Sequence, residues 1–136
     1  SKLYKQIREE NSLCYSISSL YMKYDKLLVI HVSLEDKNVK KASSLVKKCL
    51  KDMTNGDFSD DELNDAKLNL VMSLDLAQDN NVSILNNYVF NIFDNLPDLD
   101  KRKELINKVT REDVIDVAKK LKLNTIYVLE GKGEEN

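Results

Sequence analysis

The sequence predicts an α+β fold: an antiparallel or mixed β-sheet layered against several helices. Three observations predict it. Helix and strand patterns are segregated along the chain instead of alternating, in the order helix, strand, strand, several helices, strand. The hydrophobic spacing changes from helical to extended after Asn11-Ser12 and back to helical at Lys37. The 136 residues, 42% hydrophobic and 32% charged, are also enough for one domain with a real core. A single domain is expected over residues 1–130, with a charged tail over 131–136 that frays.

Each element has its own reason. Leu3, Tyr4 and Ile7 fall on one stripe of a first helix, which Asn11 and Ser12 end. Leu13 to Tyr21 reads as a strand, and Tyr24-Asp25-Lys26 is a polar break tight enough for a hairpin turn. Lys26 to Leu34 is a strand rich in β-branched residues, with Leu28, Ile30, Val32 and Leu34 on one face. Its other face carries Leu27, Val29, His31 and Ser33 and is partly apolar. From Lys37 to Thr54, Val39, Ala42, Leu45, Val46, Cys49, Leu50 and Met53 recur at helical spacing, and Asn55-Gly56 supplies the stop.

Ser59-Asp60-Asp61-Glu62 is a capping box that opens a helix running to about Gln78, with Leu63, Ala66, Leu70, Val71, Leu74 and Ala77 as its core stripe. Asn80-Asn81 breaks the pattern, and an amphipathic segment with Val82, Leu85, Val89, Ile92 and Phe93 follows. Asn95-Leu96-Pro97-Asp98 is a loop with the only proline. A short helix spans about Asp100 to Lys108, and Thr110-Arg111-Glu112-Asp113 caps another that buries Val114, Ile115, Val117, Ala118 and Leu121. Asn124 to Leu129 reads as a last strand. Three strands make a thin sheet, so a further strand is expected upstream of Ser1.

Composition narrows the function classes. A net charge of −2 offers no field for nucleic acid or an anionic membrane, and the lysines at 37, 40, 41, 47, 48 and 51 read as a solvated helix face. No apolar run approaches the ~20 residues that span a bilayer. Cys14 and Cys49 read as small buried hydrophobes in a reducing compartment, so a cytoplasmic location is expected. His31 is the only histidine, so no H-x-x-E-H or H-E-x-x-H metal motif exists, and it reads as a strand residue facing a packed layer. None of the three glycines opens a phosphate loop. The chain on its own has no complete catalytic apparatus.

Arg8 and Tyr15 are the candidate functional pair. A helix end followed by a strand start can carry a guanidinium and a phenol to one edge of a sheet, where both can grip a peptide carbonyl or a charge developing on it. The plainer alternative pairs Arg8 with a carboxylate or lays its stem along Tyr4, and turns Tyr15 inward with a bonded hydroxyl.

The run Ser1-Lys2-Leu3-Tyr4…Ile7-Arg8-Glu9-Glu10-Asn11-Ser12-Leu13-Cys14-Tyr15-Ser16 closely resembles the C-terminal, non-zinc half of the pitrilysin/insulinase metallopeptidases. That family shows the pattern SxLF…(L/I)RE…(S/G)L(A/G)Y…S here. Asp61-Glu62-Leu63…Ala66-Lys67 and Val109-Thr110-Arg111-Glu112-Asp113-Val114…Ala118-Lys119-Lys120 also fit, so the resemblance runs over nearly the whole chain. Cys14 departs from it, standing where a small residue usually precedes the tyrosine. The Gly-containing strand that normally leads into Ser1 is also lacking.

The resemblance implies a mitochondrial-processing-peptidase-like half-domain lacking its first strand. It further implies a half-site: zinc, held by H-x-x-E-H, resides in a partner domain or subunit and none in this chain. Arg8 would hold a backbone carbonyl of a peptide substrate. Tyr15 would donate to the carbonyl at the cleaved bond and to its oxyanion. The implied partners are the zinc-bearing N-terminal half and a peptide, with neither nucleic acid nor membrane; the oligomeric state, a dimer included, stays open. The alternative is a catalytically inactive assembly subunit of the same fold.

Overall fold

The computed structural model describes residues 2–78 and 96–130. The predicted break at Asn80-Asn81, the amphipathic segment from Val82 to Phe93 and the tail over 131–136 lie outside the described residues. The remainder is α+β, with five helices and a two-stranded antiparallel sheet among the described residues. Its contacts divide into two compact units, residues 1–55 with 117–136 and residues 56–116.

The first unit begins with α1 (Lys2–Tyr4), which runs on as a π-helical turn over Lys5–Glu9. Ile7 points inward and is 0% exposed. The turn stops at Ser12, whose φ of 49° is left-handed. Ser12 N–H donates to Arg8 O at 3.0 Å and Leu13 N–H to Ile7 O at 3.0 Å. Asn11 Nδ2 adds a bond to Gln6 O at 2.7 Å, so the two residues expected to end the helix do end it.

Strands β1 (Ser16–Met22) and β2 (Leu27–Ser33) pair in register from Ser16↔Ser33 to Met22↔Leu27. They are joined through a turn whose last residue, Lys26, has φ 53°. On β2, Ile30 and Val32 of the predicted inner face are half-buried but Leu28 is exposed, as are Leu27, Val29, His31 and Ser33. His31 therefore faces no packed layer among the described residues, contrary to the sequence expectation. A two-stranded ribbon covers only one of its faces from within this unit.

A 3-10 turn (Asp36–Asn38) leads into α2 (Val39–Asn55). The predicted stripe of α2 is turned from solvent throughout, with Ala42 and Cys49 buried, and its lysines are exposed. Cys49 donates its thiol to Gln6 Oε1 at 2.9 Å, and burial pushes the thiol up from its ordinary range. Both cysteines are free. Burying Ile7 alone is worth about 1.5–3 kcal/mol, which ranks it above any exposed ion pair of this unit.

In the second unit, α3 (Asp60–Gln78) packs on α4 (Leu99–Lys108). The capping box forms as expected: Ser59 N–H donates to Glu62 Oε2 at 2.9 Å and Glu62 N–H to Ser59 Oγ at 3.1 Å. Asp98 caps α4 through Lys101 N–H at 2.8 Å. Of the predicted α3 stripe, Leu63, Val71, Leu74 and Ala77 are half-buried, but Ala66 and Leu70 are exposed. This helix is apolar on more than one side, so spacing alone did not single out the packed face. The ion pair between Lys103 and Asp75 adds a second tie between α3 and α4.

Helix α5 (Arg111–Lys120) starts at a box in which Thr110 N–H donates to Asp113 Oδ2 at 2.8 Å and Asp113 N–H to Thr110 Oγ1 at 3.2 Å. Thr110 N–H and the Thr110 hydroxyl, which donates to the same Oδ2 at 2.7 Å, hold the Asp113 carboxyl below its ordinary range. Of its predicted buried side, Val114, Ile115 and Ala118 are turned from solvent, while Val117 and Leu121 are exposed. Arg111, expected only to cap, does more. Its Nη1 donates to Gly56 O at 2.9 Å and Phe58 O at 2.6 Å, its Nη2 bonds Asp60 Oδ1 at 2.6 Å, and its guanidinium lies 4.6 Å from the Phe58 ring centroid.

The expected strand over Asn124 to Leu129 is absent. Residues 121–130 form no strand, and Tyr127 and Leu129 are 80% and 82% exposed. The alternating pattern is present, but β1 and β2 pair only with each other among the described residues, and a strand exists only through its neighbour.

Two stability predictions follow from the second unit. Gly56 has φ 76°, and a Cβ there would lie 2.9 Å from Ile115 Cδ1. Gly56→Ala is expected to lower unfolding free energy by about 1–2 kcal/mol in urea titrations; an unchanged midpoint would contradict the left-handed stop. Arg111→Ala is expected to cost about 2 kcal/mol, with Arg111→Lys recovering less than half because an ammonium cannot reproduce the fork. A loss under about 0.5 kcal/mol for the alanine variant would mean the guanidinium is not the tie it looks to be.

Candidate functional site

The segment between α1 and β1 is held at its backbone from three sides. Leu13 N–H is tied to Ile7 O, Leu13 O accepts from Asn38 Nδ2 at 3.1 Å, and Tyr15 N–H donates to Ser33 O at 2.7 Å. Leu13 is 6% exposed and anchors the segment in the core. Cys14 is half-buried, and Tyr15, two residues beyond buried Leu13, is turned outward and 63% exposed. Tyr15 lies one residue before β1, not inside it as expected, although its N–H still continues the ladder.

The phenol does not turn inward. Its hydroxyl donates to Glu35 Oε1 at 3.0 Å, and Lys37 Nζ lies 2.6 Å from Glu35 Oε2. The bond to Glu35 raises the Tyr15 hydroxyl above the usual phenol range. The Lys37 ammonium, then the Tyr15 bond, hold the Glu35 carboxyl below its ordinary range, and Glu35 raises Lys37. All three groups are exposed, so these are shifts of protonation and not large stabilities.

Arg8 is exposed on the π-helical turn, its guanidinium 5.3 Å from the Tyr4 ring centroid. That is the packing along Tyr4 that the plainer sequence reading anticipated. No hydrogen bond or ring contact joins Arg8 to Tyr15 among the described residues. Each is presented to solvent by the same unit, on a different neighbour.

A cavity of about 70 Å³ is lined by Ser12, Leu13, Cys14, Tyr15, Glu35 and Asn38. It is small beside the roughly 300–1,000 Å³ of small-molecule pockets. Arg8 does not line it. Glu35, Lys37 and Asn38 were not anticipated as site residues. Hairpin register could have found them: pairing Ser16 with Ser33 brings Tyr15 beside the chain that leads into Glu35.

No group of three His, Cys, Asp or Glu side chains among the described residues could hold a metal ion. The donor set here does not fit zinc, and His31 stands on β2, exposed. No helix among the described residues is long and apolar enough to cross a membrane.

Over 135 residues the chain is 29% identical to a Bacillus subtilis (strain 168) protein named "Probable inactive metalloprotease YmfF", covering 96% of this chain and 31% of that protein. A crystal structure of a conserved protein from Enterococcus faecalis V583 superposes with a TM-score of 0.78 at 25% identity, covering 88% of this chain and 28% of that one. The chain thus spans less than a third of either relative. Residues 1–70, which carry α1, the hairpin, α2, Arg8 and Tyr15, match the family described as "Peptidase M16 inactive domain". The chain belongs to the M16 metallopeptidase family, as an example of its inactive domain.

Proposed function

We propose that this domain is the substrate-gripping, non-zinc half of a zinc metallopeptidase. The observation that carries the reading is Tyr15: an outward phenol on a backbone tied at three points, beside a small cavity. Such a donor can bond a scissile carbonyl and, more strongly, the oxyanion that develops on it. Arg8, on the neighbouring turn, supplies a charged fork for a second carbonyl of an extended peptide. Water activation belongs to zinc in the partner half, which brings the H-x-x-E-H motif lacking here. Two free cysteines fit action in the cytoplasm.

A second reading, an assembly subunit without catalysis, draws on the name of the Bacillus relative, "Probable inactive metalloprotease". Both readings are separated by one assay: the full-length protein with its zinc-bearing half on quenched peptides, with and without chelator. Chelator-sensitive cleavage is expected. Tyr15→Phe is expected to lower kcat/KM about 10²–10³-fold, the cost of removing one oxyanion donor. Arg8→Ala is expected to act mainly through KM. Cleavage that survives both substitutions at full rate would refute the assigned roles. No chelator-sensitive cleavage at all would favour the assembly reading.

A further inference from the structure

The Tyr15 phenol has one O–H to donate, and Glu35 Oε1 accepts its hydrogen bond. A bond to Glu35 and a bond to a peptide carbonyl therefore exclude each other. The carboxylate is not there by accident of a loose side chain. Glu35 lies two residues beyond Ser33, whose carbonyl accepts Tyr15 N–H, so the hairpin register delivers it to the phenol. The 3-10 turn that follows places Lys37 on the other carboxylate oxygen at 2.6 Å and Asn38 on Leu13 O at 3.1 Å. The acceptor, its counter-charge and the backbone tie thus come from four consecutive residues packed against the Tyr15 segment.

We propose that Glu35 is a latch: a positioning residue that holds the Tyr15 hydroxyl until a peptide carbonyl displaces it, with Lys37 paired to its other carboxylate oxygen. This rests on reading Tyr15 as the peptide-gripping donor. The raised Tyr15 hydroxyl and the lowered Glu35 carboxyl agree with a bond that favours neutral phenol and charged carboxylate. A binding-competent state populated at a fraction f weakens apparent affinity by that fraction. For an exposed, charge-assisted bond the latch is expected to weaken peptide binding about three- to tenfold.

The test uses the full-length protein with its zinc-bearing half, metal removed so that peptide is not cut. Binding of fluorescein-labelled casein peptides is measured by anisotropy across a Tyr15→Phe and Glu35→Ala cycle, beside Glu35→Gln. Glu35→Ala is expected to tighten binding about three- to tenfold, Glu35→Gln less, and neither to matter in the Tyr15→Phe background. In the same proteins, ring-labelled tyrosine NMR is expected to show Tyr15 ionising at a lower pH once Glu35 is alanine. A structural role for Glu35 would not depend on Tyr15 and would not move that titration.

Weaker binding in Tyr15→Phe, with Glu35→Ala neutral or an unmoved titration, overturns the latch and leaves the donor role standing. Unchanged binding in Tyr15→Phe overturns the grip of Tyr15 on bound peptide, and the latch with it, while the oxyanion role is decided by kcat/KM in the cleavage assay.

Discussion

Everything at the candidate site depends on how the chain crosses from α1 to β1. A left-handed residue at Ser12 reverses the chain, and Leu13 is then driven into the core. The next backbone groups are bonded to three different elements: the π-helical turn, β2 and the 3-10 turn before α2. A non-glycine residue in the left-handed region costs on the order of 1 kcal/mol, and three hydrogen bonds with a buried leucine outweigh that. The result is a tyrosine whose exposure is imposed by its neighbours. Its side chain has little to bury, so its position is set from the main chain outward.

The same logic explains what could be read from the sequence. Stops and starts of helices are local, and Asn11-Ser12, Gly56, Ser59 with Glu62, and Thr110 with Asp113 all act within five residues of themselves. The α2 stripe was legible because one side is apolar and the other lysine-rich. Where the partner lies far along the chain, pattern alone failed. Asn124 to Leu129 has strand character and no strand, α3 has more apolar surface than one face can use, and His31 lies on a face left uncovered among the described residues. Arg111 looked like part of a cap because its acceptors at Gly56 and Phe58 are more than fifty residues away.

The site divides along the same line. Arg8 and Tyr15 were visible as long donors flanking a helix–strand junction, and family resemblance gave them roles. Their actual neighbours were half visible. The ring of Tyr4 one turn before Arg8 is a local contact. The Glu35 carboxylate reaches Tyr15 only through the hairpin, as a charge-assisted bond to the group proposed to serve substrate. An outward phenol beside a small cavity is what this chain contributes to the proposed half-site. Both relatives are more than three times the length matched here.

The most direct measurement is a crystal structure of the full-length protein, with its zinc-bearing half, holding a non-cleavable peptide. The account predicts the Tyr15 hydroxyl about 3 Å from a peptide carbonyl and away from Glu35, with Arg8 lifted from Tyr4 onto a second carbonyl. A peptide bound elsewhere, with Tyr15 still on Glu35 and Arg8 still on Tyr4, would contradict it.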